Sequence, residues 1–136
     1  MQASTPNHGE RASRLRVLVV DNDARVRRAL RSLIECAPDL TVVGEAGSTR
    51  SARRLDMELD PDVVVLDLLL PRASDGLDVL GELRGRNRPV VAISGMGELE
   101  SKAMRAGAHA FLDKHGRDVD TLLDMIRAAS GHHQPT

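Results

Sequence analysis

Asp67, Ser94 and Lys114 each stand at or just beyond the end of a short apolar run. Val63-Val64-Val65-Leu66 precedes the first, Val90-Val91-Ala92-Ile93 the second, and Ala110-Phe111-Leu112 comes shortly before the third. If these runs are neighbouring parallel strands, a carboxylate, a hydroxyl and an ammonium meet at one edge of a sheet, where open α/β folds bind ligands. That set is spaced like a phosphoryl-transfer site: an oxygen nucleophile, a hydrogen-bonding hydroxyl, and a cation to offset crowded negative charge. The plainer reading of Asp67 alone is a side chain that caps the turn before Pro71.

The elements that would position these groups follow from periodicity. Val17-Leu18-Val19-Val20 reads as a buried strand, and Val26, Leu30, Leu33 and Ile34 have the spacing of an amphipathic helix that must stop before Pro38. Thr41-Val42-Val43-Gly44 is a second strand. Ser48 is placed to cap a helix running to Leu59, which Asp60-Pro61 breaks. Asp75 is expected to cap the next helix, whose apolar positions are Leu77, Val79, Leu80 and Leu83, with Pro89 leading into the fourth strand. Glu98 to Ala106 reads as a short helix ended by Gly107, Ala108 to Leu112 as the fifth strand, and Val119, Leu122, Leu123 and Ile126 as the inner face of a last helix. Five β-α units imply a parallel sheet with right-handed crossovers and helices on both faces. Strands that are continuous Val, Leu and Ile suit burial on both sides.

Size and charge agree with one small domain. A chain of 136 residues can bury roughly two-thirds of its unfolded surface in a single core. The balance of 19 basic against 20 acidic residues, net −1, gives no field that would draw nucleic acid or an acidic membrane. Cys36 is alone, Met1 to Glu10 lack the apolar stretch of a secretion signal, and no run approaches a membrane span, so a reducing cytoplasm is the expected location. Residues 1–14 and 130–136 read as frayed tails around a domain at 15–129. The histidines show no metal spacing and make no case for zinc.

Four segments then carry a resemblance. Arg16-Val17-Leu18-Val19-Val20-Asp21-Asn22-Asp23, Leu66-Asp67-Leu68-Leu69-Leu70-Pro71 leading to Asp75-Gly76, Ala92-Ile93-Ser94-Gly95, and Phe111-Leu112-Asp113-Lys114 resemble the receiver domains of two-component response regulators, in order, from about Arg16 to Ala129. The resemblance implies a flavodoxin-like (βα)5 doubly wound parallel sheet in the order 2-1-3-4-5. It implies an aspartate phosphorylated by a histidine kinase or phosphotransfer protein, and an output protein not legible here. By position, Asp67 matches the phosphoacceptor, and Asp21 with Asp67 and the backbone carbonyl of Leu69 matches the Mg²⁺ pocket. Ser94 matches the hydroxyl switch and Lys114 the cation that pairs with the phosphoryl group. Phe111, the only aromatic residue, matches the aromatic switch, although a lone Phe in a strand is as readily plain core. The resemblance places the output face on Leu99, Lys102, Met104, Arg105 and Met125, and leaves room for a phosphorylation-dependent dimer.

The pattern departs from the family in places. Asn22 stands where a second acidic residue is usual, so Mg²⁺ should bind more weakly, unless Asp23 compensates through water. Arg72-Ala73-Ser74 adds one residue before Asp75, in a loop that should tolerate it. His115 replaces a common proline, so no cis peptide is expected after Lys114. Leu69 and Met96 occupy the places that flank the attacking water in receivers, and two apolar side chains there imply a long-lived phosphoryl group. Arg25, Arg27, Arg28 and Arg31 crowd the first helix, either as a solvated face or to meet an acidic kinase surface. Two other functions fit parts of the sequence. Asn22 admits a non-phosphorylated docking module, and Asp21-Asn22-Asp23 has the Asp-x-Asp form of haloacid-dehalogenase-like phosphatases, with Asp21 as nucleophile, which leaves Asp67 unexplained. Nothing after residue 130 is long enough for a DNA-binding domain, although Gly44-Glu45-Ala46 looks like receivers joined to helix-turn-helix regulators. The expectation is a stand-alone phosphoacceptor rather than an enzyme with turnover on another substrate.

Overall fold

A computed structural model describes residues 14–114 and 119–131. Strands β1 (Leu15–Val20), β2 (Leu40–Ala46), β3 (Val63–Asp67), β4 (Val90–Ser94) and β5 (Ala110–Asp113) form one parallel sheet in the order β2-β1-β3-β4-β5. The helices are α1 (Ala24–Glu35), α2 (Thr49–Leu59), α3 (Ala73–Gly85), α4 (Glu100–Arg105) and α5 (Val119–Ser130), and a 3-10 turn at Gly97–Leu99 leads into α4. This is the expected flavodoxin-like arrangement.

Side chains alternate across the sheet because successive Cβ atoms point to opposite faces. Leu18, Val20, Val64, Leu66 and Ala92 face the layer of α2, α3 and α4, where Leu80 and Leu83 meet them. Val17, Val19, Val63, Val65 and Ile93 face α1 and α5, represented by Ile34 and Ile126. Every apolar residue of β3 is fully buried, and each such Val or Leu contributes ~1.5–3 kcal/mol over exposure. No described helix is long and apolar enough to cross a membrane.

Several boundaries differ from the sequence reading. Asp75 does not cap α3: the helix starts earlier, at Ala73, behind an uncapped Arg72 whose carbonyl takes the amides of Asp75 and Gly76. Asp75 thus falls in the first turn, where its charge complements the helix dipole and lies 3.5 Å from Arg72. β2 extends to Ala46 because it pairs with β1 throughout, accommodating a register shift between Val17 and Leu18. β5 begins at Ala110 rather than Ala108, since Gly107, at φ 105°, turns the chain and the amide of Ala108 still bonds back to Ala103. Ser48 and Asp60 close α2 as expected, through a reciprocal cap with Ser51 and a left-handed residue at φ 49°. The Leu70–Pro71 peptide is cis. The tails expected at 1–14 and 130–136 lie outside the described residues except at Arg14, Ser130 and Gly131, and Ser130 is the last residue of α5, one beyond the expected end of the domain; the reading at His115 also lies outside them.

Two contacts fix the ends of the sheet. Gly76 lets the first turn of α3 lie directly on the chain after β3, where a Cβ would overlap the Leu68 carbonyl. At the opposite edge Asp56, 1% exposed, receives Arg88 Nε at 2.6 Å and Arg86 at 3.2 Å. Arg88 also donates to the Pro61 carbonyl at 2.6 Å and to Asp60 at 2.8 Å, tying α2, the entry to β3 and the entry to β4. Removing one partner of a buried pair strands the other in a poorly solvated place. Arg88→Ala should therefore cost about 3 kcal/mol of unfolding free energy in urea denaturation. Asp60→Asn, at an exposed member of the cluster, should cost far less.

Candidate functional site

The C-terminal ends of β1 and β3 lie side by side, Val20 opposite Leu66 in the ladder. Each is followed by an aspartate whose carboxylate is oriented by the chain itself. Asp21 donates its amide to Ala46 at 3.0 Å, and its Oδ1 accepts the Asp23 amide at 2.8 Å. Asp67 Oδ1 accepts the Leu69 amide at 3.0 Å. The free oxygens converge on one ammonium: Lys114 Nζ lies 2.8 Å from Asp67 Oδ2 and 3.2 Å from Asp21 Oδ2. Lys114 is held there by its own amide, which bonds the Ser94 carbonyl at 2.9 Å.

Both carboxylates are almost completely buried, at 1% for Asp21 and 3% for Asp67. Burial, and then the adjacent Asp67 carboxylate, push the Asp21 pKa up to about 6. For Lys114, burial works against the charged form. Its hydrogen bond to Asp67 and the two negative charges outweigh that and hold the pKa above the usual lysine value. One ammonium thus faces two carboxylates, and the deficit of positive charge is what a divalent cation would relieve. The donors are hard oxygens, and among the described residues no three His, Cys, Asp or Glu side chains gather. Two carboxylates with the remaining positions left to water and main-chain oxygen suit Mg²⁺ better than zinc.

Of the residues singled out in the sequence, Asp21, Asp67 and Lys114 come into direct contact. Ser94 is fully buried at the end of β4, between the strands of Asp67 and Lys114, but its hydroxyl accepts the Met96 amide at 3.0 Å. Leu69 is half-buried and Met96 39% exposed. Asn22 is exposed. Asp23 caps α1 through the Arg25 amide at 2.8 Å, which keeps its carboxylate on the helix and holds its pKa below the usual range. Phe111 is half-buried against the core on the α3 and α4 side.

Two expectations need correction. Leu99 is not on an outer face: it is 5% exposed and part of the core, because the 3-10 turn before α4 rolls it inward. Met125 is half-buried against the opposite core layer under α5. Lys102, Met104 and Arg105 are exposed. The arginines of α1 are not one face. Arg25, Arg28 and Arg31 are exposed, Arg31 bonding Glu45 at 2.8 Å, whereas Arg27 is half-buried and donates to the Asp21 carbonyl at 2.6 Å. The contact of Arg27 with Asp21 escaped the sequence reading; its one trace there is a glutamate, Glu45, at the end of the strand that flanks β1. A cavity of about 580 Å³ beside Lys114, lined largely by Val26, Ala29, Leu30, Leu33 and Leu122, is too apolar to be the seat of this chemistry.

Comparison with known proteins agrees with this geometry. The family model described as the response regulator receiver domain matches residues 17–127. A protein-glutamate methylesterase/protein-glutamine glutaminase of Dechloromonas aromatica is 42% identical over 127 residues, covering 84% of this chain and 36% of that protein. The nitrate/nitrite response regulator NarL of Escherichia coli is 34% identical over 119 residues, covering 85% of this chain and 55% of that one. The chain thus spans between about a third and about a half of these curated relatives. Among solved structures, the response regulator domain of Thermotoga maritima CheB superposes with a TM-score of 0.78 at 30% identity, covering 87% of this chain and 97% of that one. The signal receiver domain of the putative response regulator NarL from Mycobacterium tuberculosis gives 0.78 at 25% identity, with 88% and 98% covered. With its paired strand-end aspartates and bridging lysine, the chain belongs to the response regulator receiver domain family.

Proposed function

We propose that this domain accepts a phosphoryl group on Asp67 from a histidine kinase or phosphotransfer protein and so switches a surface read by an output partner. The observation that carries the reading is Lys114 Nζ bridging Asp67 and Asp21 at 2.8 and 3.2 Å. Asp67 Oδ2, the oxygen not committed to the Leu69 amide, attacks the phosphorus in line. The bond from phosphorus to the donor nitrogen breaks, its electron pair leaves with the donor, and an acyl phosphate remains. Lys114 is placed to follow the charge from the carboxylate to the phosphoryl oxygens. Asp21, Asp67 and the Leu69 carbonyl would hold Mg²⁺, which when bound offsets the negative charge gathered by donor and acceptor. Asn22 adds no carboxylate to that set. Ser94 would give up its bond to the Met96 amide to reach the phosphoryl group, and Phe111, beside it in the layer of α4, would repack with Lys102, Met104 and Arg105 at the rim.

Neither rival is favoured. In the phosphatase-like reading Asp21 would be the nucleophile, which leaves Asp67, the carboxylate nearer to Lys114 at 2.8 Å against 3.2 Å, without a role. A docking module without phosphorylation has no use for two buried carboxylates around one ammonium. Treatment with acetyl phosphate and Mg²⁺ should add a single phosphoryl group by mass spectrometry, absent in Asp67→Asn. Retention in Asp67→Asn with loss in Asp21→Asn would overturn the assignment.

The raised Asp21 pKa makes the metal compete with a proton. Mg²⁺ affinity, measured by calorimetric titration, should rise about ten-fold from pH ~5 to pH ~7 and flatten above it. Without metal the sign is opposite for folding. The folded state holds the Asp21 proton more tightly than the unfolded chain does, so this group's contribution to stability falls as pH rises from the ordinary value of 3.8 to about 6. The apolar flank formed by Leu69 and Met96 gives no hydrogen bond to a hydrolytic water. Their replacement by Asn and Glu should shorten the phosphoryl lifetime about ten-fold in saturating Mg²⁺, followed by mass spectrometry.

A further inference from the structure

Asp21 is the residue on which both the ammonium and any cation depend, and its main chain is gripped on two sides. Its amide donates to Ala46 at 3.0 Å, while its carbonyl accepts Arg27 Nη1 at 2.6 Å. Arg27 comes from the second turn of α1 and is largely buried, its side chain 19% exposed. Its Nε, buried and without a hydrogen-bond partner, lies 3.5 Å from Glu45 Oε1. The guanidinium rests against Gly47, where a Cβ would come within 2.7 Å of Nη1. Space for this side chain has therefore been left by the residue immediately after β2.

We infer that Arg27 is a positioning residue for the phosphorylation site: by holding the Asp21 carbonyl it fixes the orientation of the Asp21 carboxylate and so sets the affinity for Mg²⁺. This rests on the phosphoacceptor reading above. Mg²⁺ demands near-ideal octahedral geometry at short distances, so a ligand whose backbone can rock loses affinity disproportionately. A nearby positive charge would by itself repel the metal. Here that effect is small, because Arg27 and Arg31 are matched by Glu45 and Glu35, with Arg31 at 2.8 Å from Glu45 and 3.7 Å from Glu35. Anchoring therefore outweighs repulsion, and losing Arg27 should weaken metal binding rather than strengthen it.

Arg31 supplies the control. It joins the same helix to the same strand through Glu45 and the Val42 carbonyl, but its bonds do not include Asp21. Calorimetric titration of the unphosphorylated protein with Mg²⁺ should show Arg27→Gln losing affinity about ten-fold, as removal of an outer-shell partner commonly does. Arg27→Lys, which keeps one donor for the carbonyl, should recover most of it, and Arg31→Gln should stay within about two-fold of the parent. Amide exchange at Asp21 without metal should quicken in Arg27→Gln and not in Arg31→Gln. If Arg27→Gln fails to fold, Gly47→Ala tests the same grip by crowding the guanidinium and should weaken Mg²⁺ in the same direction. Parent-like affinity in Arg27→Gln, or in Gly47→Ala where that variant stands in, would overturn the inference, as would an equal loss in Arg31→Gln. A parent that binds Mg²⁺ but takes no phosphoryl group on Asp67 would instead overturn the reading of function.

Discussion

Taking a carboxylate out of water costs several kcal/mol, and this fold does it twice within reach of one ammonium, at Asp21 and Asp67. The arrangement is tolerable only because each carboxylate has one oxygen satisfied by a backbone amide and the other by Lys114. Those requirements dictate much of the architecture. The two aspartates must end adjacent parallel strands at the same level, which the pairing of β1 with β3 supplies. The lysine must arrive from beyond β5, across β4, and its four-carbon stem spans that gap where the intervening strand ends in the small Ser94.

At the other edge of the sheet the charges do different work. Asp56, Asp60, Arg86 and Arg88 join the end of α2 to the entries of β3 and β4, in a cluster whose carboxylate and cation each find a partner. Between the two edges the interior is apolar. Two buried carboxylates therefore share one ammonium at the site, whereas at the far edge two carboxylates face two guanidinium groups.

Much of this was legible in the sequence because the strands are unbroken Val and Leu runs and the chemistry stands at their ends. Asp67 and Lys114 could be read from position alone once a parallel sheet was inferred. The boundaries of β2, α3 and β5 were less legible, since they are set by pairing partners and by the turn at Gly107 rather than by local propensity. The places of Arg27 and Leu99 are hidden in the sequence for a related reason. Arg27 looks like one more surface arginine until β2 brings Glu45 and Gly47 beside it, and Leu99 looks like part of an outer helical face until a 3-10 turn changes its phase. The role of Asp23 was open in the sequence, and the helix cap took it.

Lys102 and Lys114 are the only lysines of the chain; every other basic side chain that could carry a permanent charge is arginine. Arginine does not behave as an amine nucleophile, so an acylating reagent meets just these two ε-amino groups. Lys102 is open to solvent, whereas Lys114 is paired and held in its protonated, unreactive form. The protein therefore carries its own reference and its own reporter for amine labelling: the ratio of modification at the two lysines measures how tightly the acidic pocket is holding its cation.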